Sequence, residues 1–152
     1  MLTARKASVW RSRYQIDADG RAVATWDGSM WRSGGDFQLD GAGYRVRSNA
    51  WGTRYAMTAA DGTPVASAER VGRKRWTVEA GGQVYRFQRA SVWGNVQELH
   101  GDAGPVGSVR RTSTWRSDVS ADLPGLPLPV QIFVVGVVIT MWEAQSTVAA
   151  AG

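Results

Sequence analysis

The stretch Leu123-Pro-Gly-Leu-Pro-Leu-Pro-Val-Gln-Ile-Phe-Val-Val-Gly-Val-Val-Ile-Thr-Met-Trp142 decides how the rest of the chain must be read. It carries no charged residue, and from Val130 to Trp142 it is apolar almost all the way round. As a helix this core would be roughly 20 Å long, short of the ~20 apolar residues of a bilayer span and typical of a buried core helix. A helix without a polar face has to be enclosed on every side. The upstream sequence is therefore expected to build the enclosure.

Local preference opposes this reading. Val130, Ile132, Val134, Val135, Val137, Val138, Ile139 and Thr140 are β-branched and favour strand. Two features restore the helix. A strand of that length would span about 43 Å, far more than its neighbours. Pro127 and Pro129 suit the first turn of a helix and would be poor inside a central strand. Burying roughly ten large apolar side chains yields at most about 15–30 kcal/mol, against a propensity penalty of ~0.5 kcal/mol per residue. The pattern predicts a central helix over about 127–143. The tail 144–152 either prolongs it or frays, with its last residues disordered.

Turn dipeptides recur upstream about every 20 residues: Asp19-Gly20, Asp40-Gly41, Asp61-Gly62, Gly81-Gly82 and Gly101-Asp102, with an additional Asp27-Gly28. Period-2 alternation fills the intervals. Tyr44 and Val46 alternate with Arg45 and Arg47; Tyr55, Met57 and Ala59 with Arg54, Ala56 and Thr58; Trp76 and Val78 with Arg75, Thr77 and Glu79. Tyr85 and Phe87 continue the pattern, as do Trp115, Ser117 and Val119. This gives eleven or twelve strands between Ser8 and Ser120, each with one apolar and one wet face. Closure removes the open edges of such a meander, and a barrel this wide needs a filler. The expected fold is mainly β: a single domain forming a closed antiparallel barrel of about 12 strands around one central hydrophobic helix.

Composition limits the chemistry. The 152 residues contain no cysteine and one histidine, which excludes disulfides, thiolate nucleophiles and two-histidine metal sites. His100 stands alone beside the Gly101-Asp102 turn and would need a positioned partner to act as a general base. No phosphate loop, dinucleotide fingerprint or nucleophile elbow is present. Asp17-Ala-Asp19-Gly20 begins like a metal loop but lacks the downstream carboxylate, and reads as a hairpin turn. The chain is expected to be non-enzymatic and without cofactor or metal. Met1–Ser8 lacks the apolar core of a signal peptide, so the expected location is cytoplasmic, with peripheral membrane contact and no transmembrane span.

The net charge is +5, and 16 of the 18 basic residues are arginine. Base composition of the genome alone produces such a bias, but an anionic partner would also select it. Arg70, Arg73, Lys74 and Arg75 flank the Val71-Gly72 turn and concentrate charge at one hairpin tip. Arg110, Arg111 and Arg116 fall on the last two strands, and Arg5, Lys6, Arg11 and Arg13 near the start. Arginine forks match phosphate oxygens; the same charges also keep a β surface soluble. Of the tryptophans, Trp76 and Trp115 fit inward positions. Trp10, Trp26, Trp31, Trp51 and Trp93 stay unassigned.

A dozen-strand meander followed by one hydrophobic helix resembles the tubby C-terminal superfold, which includes tubby proteins, phospholipid scramblases and the LURP-one-related family. In size the chain is most similar to the last. The resemblance covers roughly Ser8 to Trp142. It rests on the order of elements, on the Leu126–Trp142 plug and on segments such as Tyr14-Gln-Ile16-Asp17, Tyr44-Arg-Val46 and Lys74-Arg-Trp76-Thr-Val78. It implies a barrel around a buried helix and a membrane or phosphoinositide connection, while none of the families' binding motifs is present. The leading expectation is a module that binds anionic phospholipid headgroups through Arg70, Arg73, Lys74, Arg75, Arg110 and Arg111. The alternatives are a protein-interaction scaffold, a weak single-stranded nucleic-acid binder and an integral membrane protein anchored by Val130–Trp142.

Overall fold

A computed structural model describes residues 1–7, 13–28, 34–90, 95–112 and 118–151, with the backbone alone beyond 145. Its strands are β1 (Leu2–Lys6), β2 (Arg13–Ala18), β3 (Arg21–Gly28), β4 (Gly34–Leu39), β5 (Ala42–Ser48) and β6 (Arg54–Ala59). They continue as β7 (Pro64–Glu69), β8 (Arg75–Ala80), β9 (Gln83–Arg89), β10 (Val96–Gly101), β11 (Gly104–Arg111) and β12 (Val119–Asp122), followed by helix α1 (Leu128–Ala151). The strands form an antiparallel meander closed by pairing β1 with β12, with Leu2 opposite Ala121 and Ala4 opposite Val119.

The inward alternation holds where it was expected. Val46, Tyr55, Met57, Trp76, Val78, Phe87 and Val119 are buried, while Tyr44, Ala59 and Tyr85 are half-buried. Asp19-Gly20 and Asp40-Gly41 turn their hairpins with positive φ at both residues (51° and 85°, 52° and 80°), the geometry that follows strand twist. Three expectations need correction. The sheet begins before Ser8, because Leu2 and Ala4 already point inward; two inward positions are too short an alternation to read as a strand. Asp27-Gly28 is the end of β3, not a turn, since Asp27 pairs with Asp36 and Gly28 with Gly35 in the ladder. Gly101 belongs to β10 opposite Gly104, so that turn sits one residue later. Trp10, Trp31, Trp93, Trp115, Arg11, Arg116 and Ser117 lie outside the described residues.

Helix α1 fills the barrel. From Val130 to Trp142 all positions but Gln131 and Thr140 are buried, and Ile132, Phe133, Val134, Val137 and Val138 have no exposed surface at all. The two polar exceptions are satisfied locally: Gln131 Nε2 donates to the Leu126 carbonyl (2.7 Å) and Thr140 Oγ1 to that of Gly136 (2.8 Å). Burial overrides the β preference of the valines, as the energy comparison requires. Of the two courses expected for the tail, the helix takes the longer and continues to Ala151, because the Ala-rich tail is itself a good helix former. It is long and apolar enough to cross a membrane, with 61% of the window Leu128–Gln145 buried inside the protein.

Two tryptophans fix the packing. The Trp26 ring is fully buried between Gly136 of α1 and Gly35 of β4, tilted against Phe37 at 6.3 Å. Trp76 stacks on Phe87 at 4.6 Å, and its Nε1 donates to Oε1 of the buried Gln97 at 2.9 Å. Among the described residues Gln97 is the buried polar side chain of this core, and it satisfies that indole. Gln97→Leu is expected to lower stability by about 1–3 kcal/mol, the cost of an unpartnered buried donor. A urea midpoint unchanged by the substitution would count against this role; Trp76→Phe in the same background should recover part of the loss.

Candidate functional site

A closed antiparallel meander sorts its connections. Those that follow odd-numbered strands lie at one rim of the barrel, and those that follow even-numbered strands at the other. The cations are unevenly divided between the rims. At the first rim stand Lys6, Arg13, Arg54, Arg70, Arg73, Lys74, Arg75, Arg89, Arg110 and Arg111, with the acids Asp27, Glu69, Asp118 and Glu143 among them. The second rim carries Asp19, Asp40, Asp61, Asp102 and Asp122 in or beside its turns, with Arg21 and Arg86 nearby. Helix α1 enters after β12 at the acidic rim and leaves at the basic one, where Tyr14 Oη donates to Glu143 Oε1 at 3.0 Å.

The β7–β8 tip is built to hold its charges outward. Arg70 adopts a left-handed φ of 61° and Gly72 one of 90°, and Arg73 N donates to the Arg70 carbonyl at 3.1 Å. Val71 between them is buried and its N–H donates to Thr53 O at 2.9 Å, pegging the tip to the β5–β6 connection. Arg70, Arg73, Lys74 and Arg75 are all exposed, and none has an ion-pair partner among the described residues. Strand pairing carries this field round the rim: Arg75 lies opposite Gln88, Arg89 opposite Gln97, and Arg110 opposite Val96.

The other cations divide. Arg110 is exposed, whereas Arg111 turns inward at the rim, with its guanidinium over the Trp142 ring at 4.8 Å. Arg111 thus packs against the emerging helix. Arg5 is paired with Asp17 at 3.1 Å, Arg13 with Asp27 at 3.0 Å and Arg54 with Glu69 at 3.5 Å. Each such pair is partly exposed and contributes little to stability.

Trp51, unassigned by sequence, is the most exposed large apolar side chain described, at 85%. It stands on the basic rim in a connection that is firmly braced. Asn49 Oδ1 accepts from the N–H groups of Thr53 (2.9 Å) and Arg54 (3.1 Å), and Asn49 Nδ2 donates to Thr53 Oγ1 at 2.9 Å. A sequence signal for this rim existed. Ser8-Val-Trp-Arg-Ser12, Ser29-Met-Trp-Arg-Ser33, Ser91-Val-Trp-Gly94 and Ser113-Thr-Trp-Arg-Ser117 repeat one pattern, and Asn49-Ala-Trp-Gly-Thr53 is its described counterpart.

Two buried phenols respond to pH. Burial, followed by the charge of and hydrogen bond to Glu143, raises the Tyr14 pKa well above its usual value, and burial pushes Tyr55 up to about 12. Both remain protonated in the fold while the unfolded chain ionises near pH 10. Their contribution is complete below pH ~10 and falls as pH rises through that value, by up to about 1.4 kcal/mol per pH unit for each group. Stability measured between pH 9 and 11.5 should fall accordingly, and Tyr55→Phe should make the slope shallower; an unchanged slope would remove Tyr55 from the account.

A second feature lies on the barrel wall. β3 pairs with β4 only at Trp26–Gly28, and beyond Trp26 the strands part around a cleft of about 840 Å³ floored by Phe37 and Tyr44, whose rings stack at 4.9 Å. His100, on the outer face of β10, has Nε2 3.4 Å from Glu98 Oε1. Among the described residues no three His, Asp or Glu side chains are grouped to hold a metal.

No family model matches the chain, and no curated protein and no solved structure is similar to it.

Proposed function

We infer that the protein is a non-enzymatic binding module that docks its basic rim on anionic lipid headgroups, with the tubby-like, LURP-one-related resemblance as its kinship. The observation that carries this reading is the segregation of charge. Arg70, Arg73, Lys74, Arg75 and Arg110, exposed and without an ion-pair partner among the described residues, gather at one end of the barrel, and carboxylates occupy the turns at the other. A protein polarised this way meets an anionic surface with one end. Arg70, Arg73, Lys74, Arg75 and Arg110 supply phosphate-matching donors, and Trp51 supplies the amphipathic ring favoured at a membrane–water interface. Arg111 contributes by holding the helix exit.

Sedimentation with vesicles of phosphatidylcholine alone, and with added phosphatidylserine or phosphoinositide, tests this. Binding is expected only with the anionic lipids, weakening as salt rises. Replacing Arg73, Lys74 and Arg75 with alanine should weaken it at least about tenfold, given ~1 kcal/mol per surface cation reduced by screening, without moving the melting temperature. Equal binding to neutral vesicles, or none to either, contradicts the reading. Preferential retention on single-stranded oligonucleotide would transfer the rim to nucleic acid.

A further inference from the structure

The geometry points to the β3–β4 cleft as a second binding site, one that takes an extended segment of another protein as an added β-strand. Continuing the register would set Thr25 opposite Gln38 and Ala24 opposite Leu39. Neither pair forms: β4 joins β3 only from Trp26 to Gly28, while Gln38 and Leu39 pair on their other side with Gly43 and Ala42. Ala22, Ala24 and Thr25 likewise pair only with β2. Both walls of the wedge therefore present strand edges with no neighbour, in a barrel whose strands are otherwise joined in sequence around its circumference.

The parting has a structural cause. Ile16 lies opposite Ala24 and Asp17 opposite Ala22, so Val23 is an extra residue in β3. A bulge of this kind bends and overtwists its strand, and the β3–β4 ladder stops short of it, at Trp26. The free edge is also unguarded. Sheet edges are normally blunted by proline, lysine or inward charge, whereas Ala22-Val-Ala-Thr25 has none of these, and Ala22 and Thr25 are exposed. The two acids and two arginines at the cleft are already matched, Arg13 with Asp27 at 3.0 Å and Arg45 with Asp36 at 3.6 Å. Charge therefore does not select the occupant. What remains unsatisfied is backbone, and an extended backbone is its complement. Its volume lies in the ~300–1,000 Å³ range of binding sites, and the four free positions of β3 accommodate about 13 Å of strand. The wedge closes at the Trp26–Phe37 pair, so it admits a chain end of four to five residues. This site is independent of the basic rim.

The test uses the intact chain and a randomised pool of pentapeptides at millimolar concentration, followed by amide hydrogen exchange read by NMR. The cleft-facing amides, alternate ones along Ala22–Thr25 and one of the Gln38 and Leu39 pair, should exchange about tenfold more slowly with the pool present, while those turned to β2 and β5 stay unchanged. The same pool N-methylated at alternate positions should have no effect, because it cannot make the ladder. Absence of protection at these amides overturns the proposal. Equal protection by the N-methylated pool does so too, by showing that side chains or a small apolar ligand fill the cleft.

Discussion

Gly136→Leu is expected to prevent the protein from folding, and Gly136→Ala to destabilise it by a net ~2 kcal/mol. A Cβ at this position would lie 2.5, 2.6 and 2.8 Å from Cζ3, Cη2 and Cε3 of Trp26. The indole cannot retreat, because a Cβ on Gly35 behind it would already lie 2.7 Å from Cζ2, so that face is in close contact as well. Overpacking a rigid core costs about 1–3 kcal/mol, sometimes more, and three overlaps with one immobile ring place alanine at or above the top of that range. Alanine recovers about 1 kcal/mol of helix propensity over glycine. Packing wins because the obstructing group is a ring, not the end of a flexible chain. Chemical denaturation of Gly136→Ala alone and with Trp26→Phe separates the two effects. In the Trp26→Phe background the alanine should become close to neutral. An alanine variant as stable as the parent would show that α1 does not pass this close to the wall.

Phe133→Ala should cost about 3–5 kcal/mol, the usual range for emptying a buried aromatic site. Phe133 has no exposed surface and sits mid-helix. The barrel cannot collapse into the vacancy, since its circumference is fixed by strand pairing all the way round. A loss below ~1 kcal/mol would mean that the helix faces a compliant medium such as lipid rather than a closed wall.

The sequence made the barrel and its plug legible because each rests on a local signal that burial reinforces: period-2 alternation, turns at near-constant spacing and one apolar run. Other features have no such signal. β1 has only Leu2 and Ala4 to mark its inner face. Trp26 could not be placed, since Asp27-Gly28 beside it reads as a turn until Arg13 and the Gly28–Gly35 pairing hold it in the ladder. The candidate cations were found as three separate clusters. Their gathering at one rim becomes visible only once odd and even connections are assigned to opposite ends, and that step also divides the adjacent Arg110 and Arg111 between solvent and the Trp142 ring. The β3–β4 cleft was not legible at all, because it depends on a bulge at Val23 and a register that stops at Trp26.

Both proposed binding surfaces depend on α1 lying inside the sheet. The chain has no cysteine, so single introduced thiols report this cleanly. Val137→Cys and Ala144→Cys, exposed to a maleimide in detergent-free buffer, give the most direct test. The thiol at position 144 should react within minutes, whereas the one at position 137 should react only as fast as the whole protein unfolds. Rapid labelling at both positions, or a protein recovered only in detergent with position 137 accessible from lipid, would contradict a helix enclosed by its own barrel.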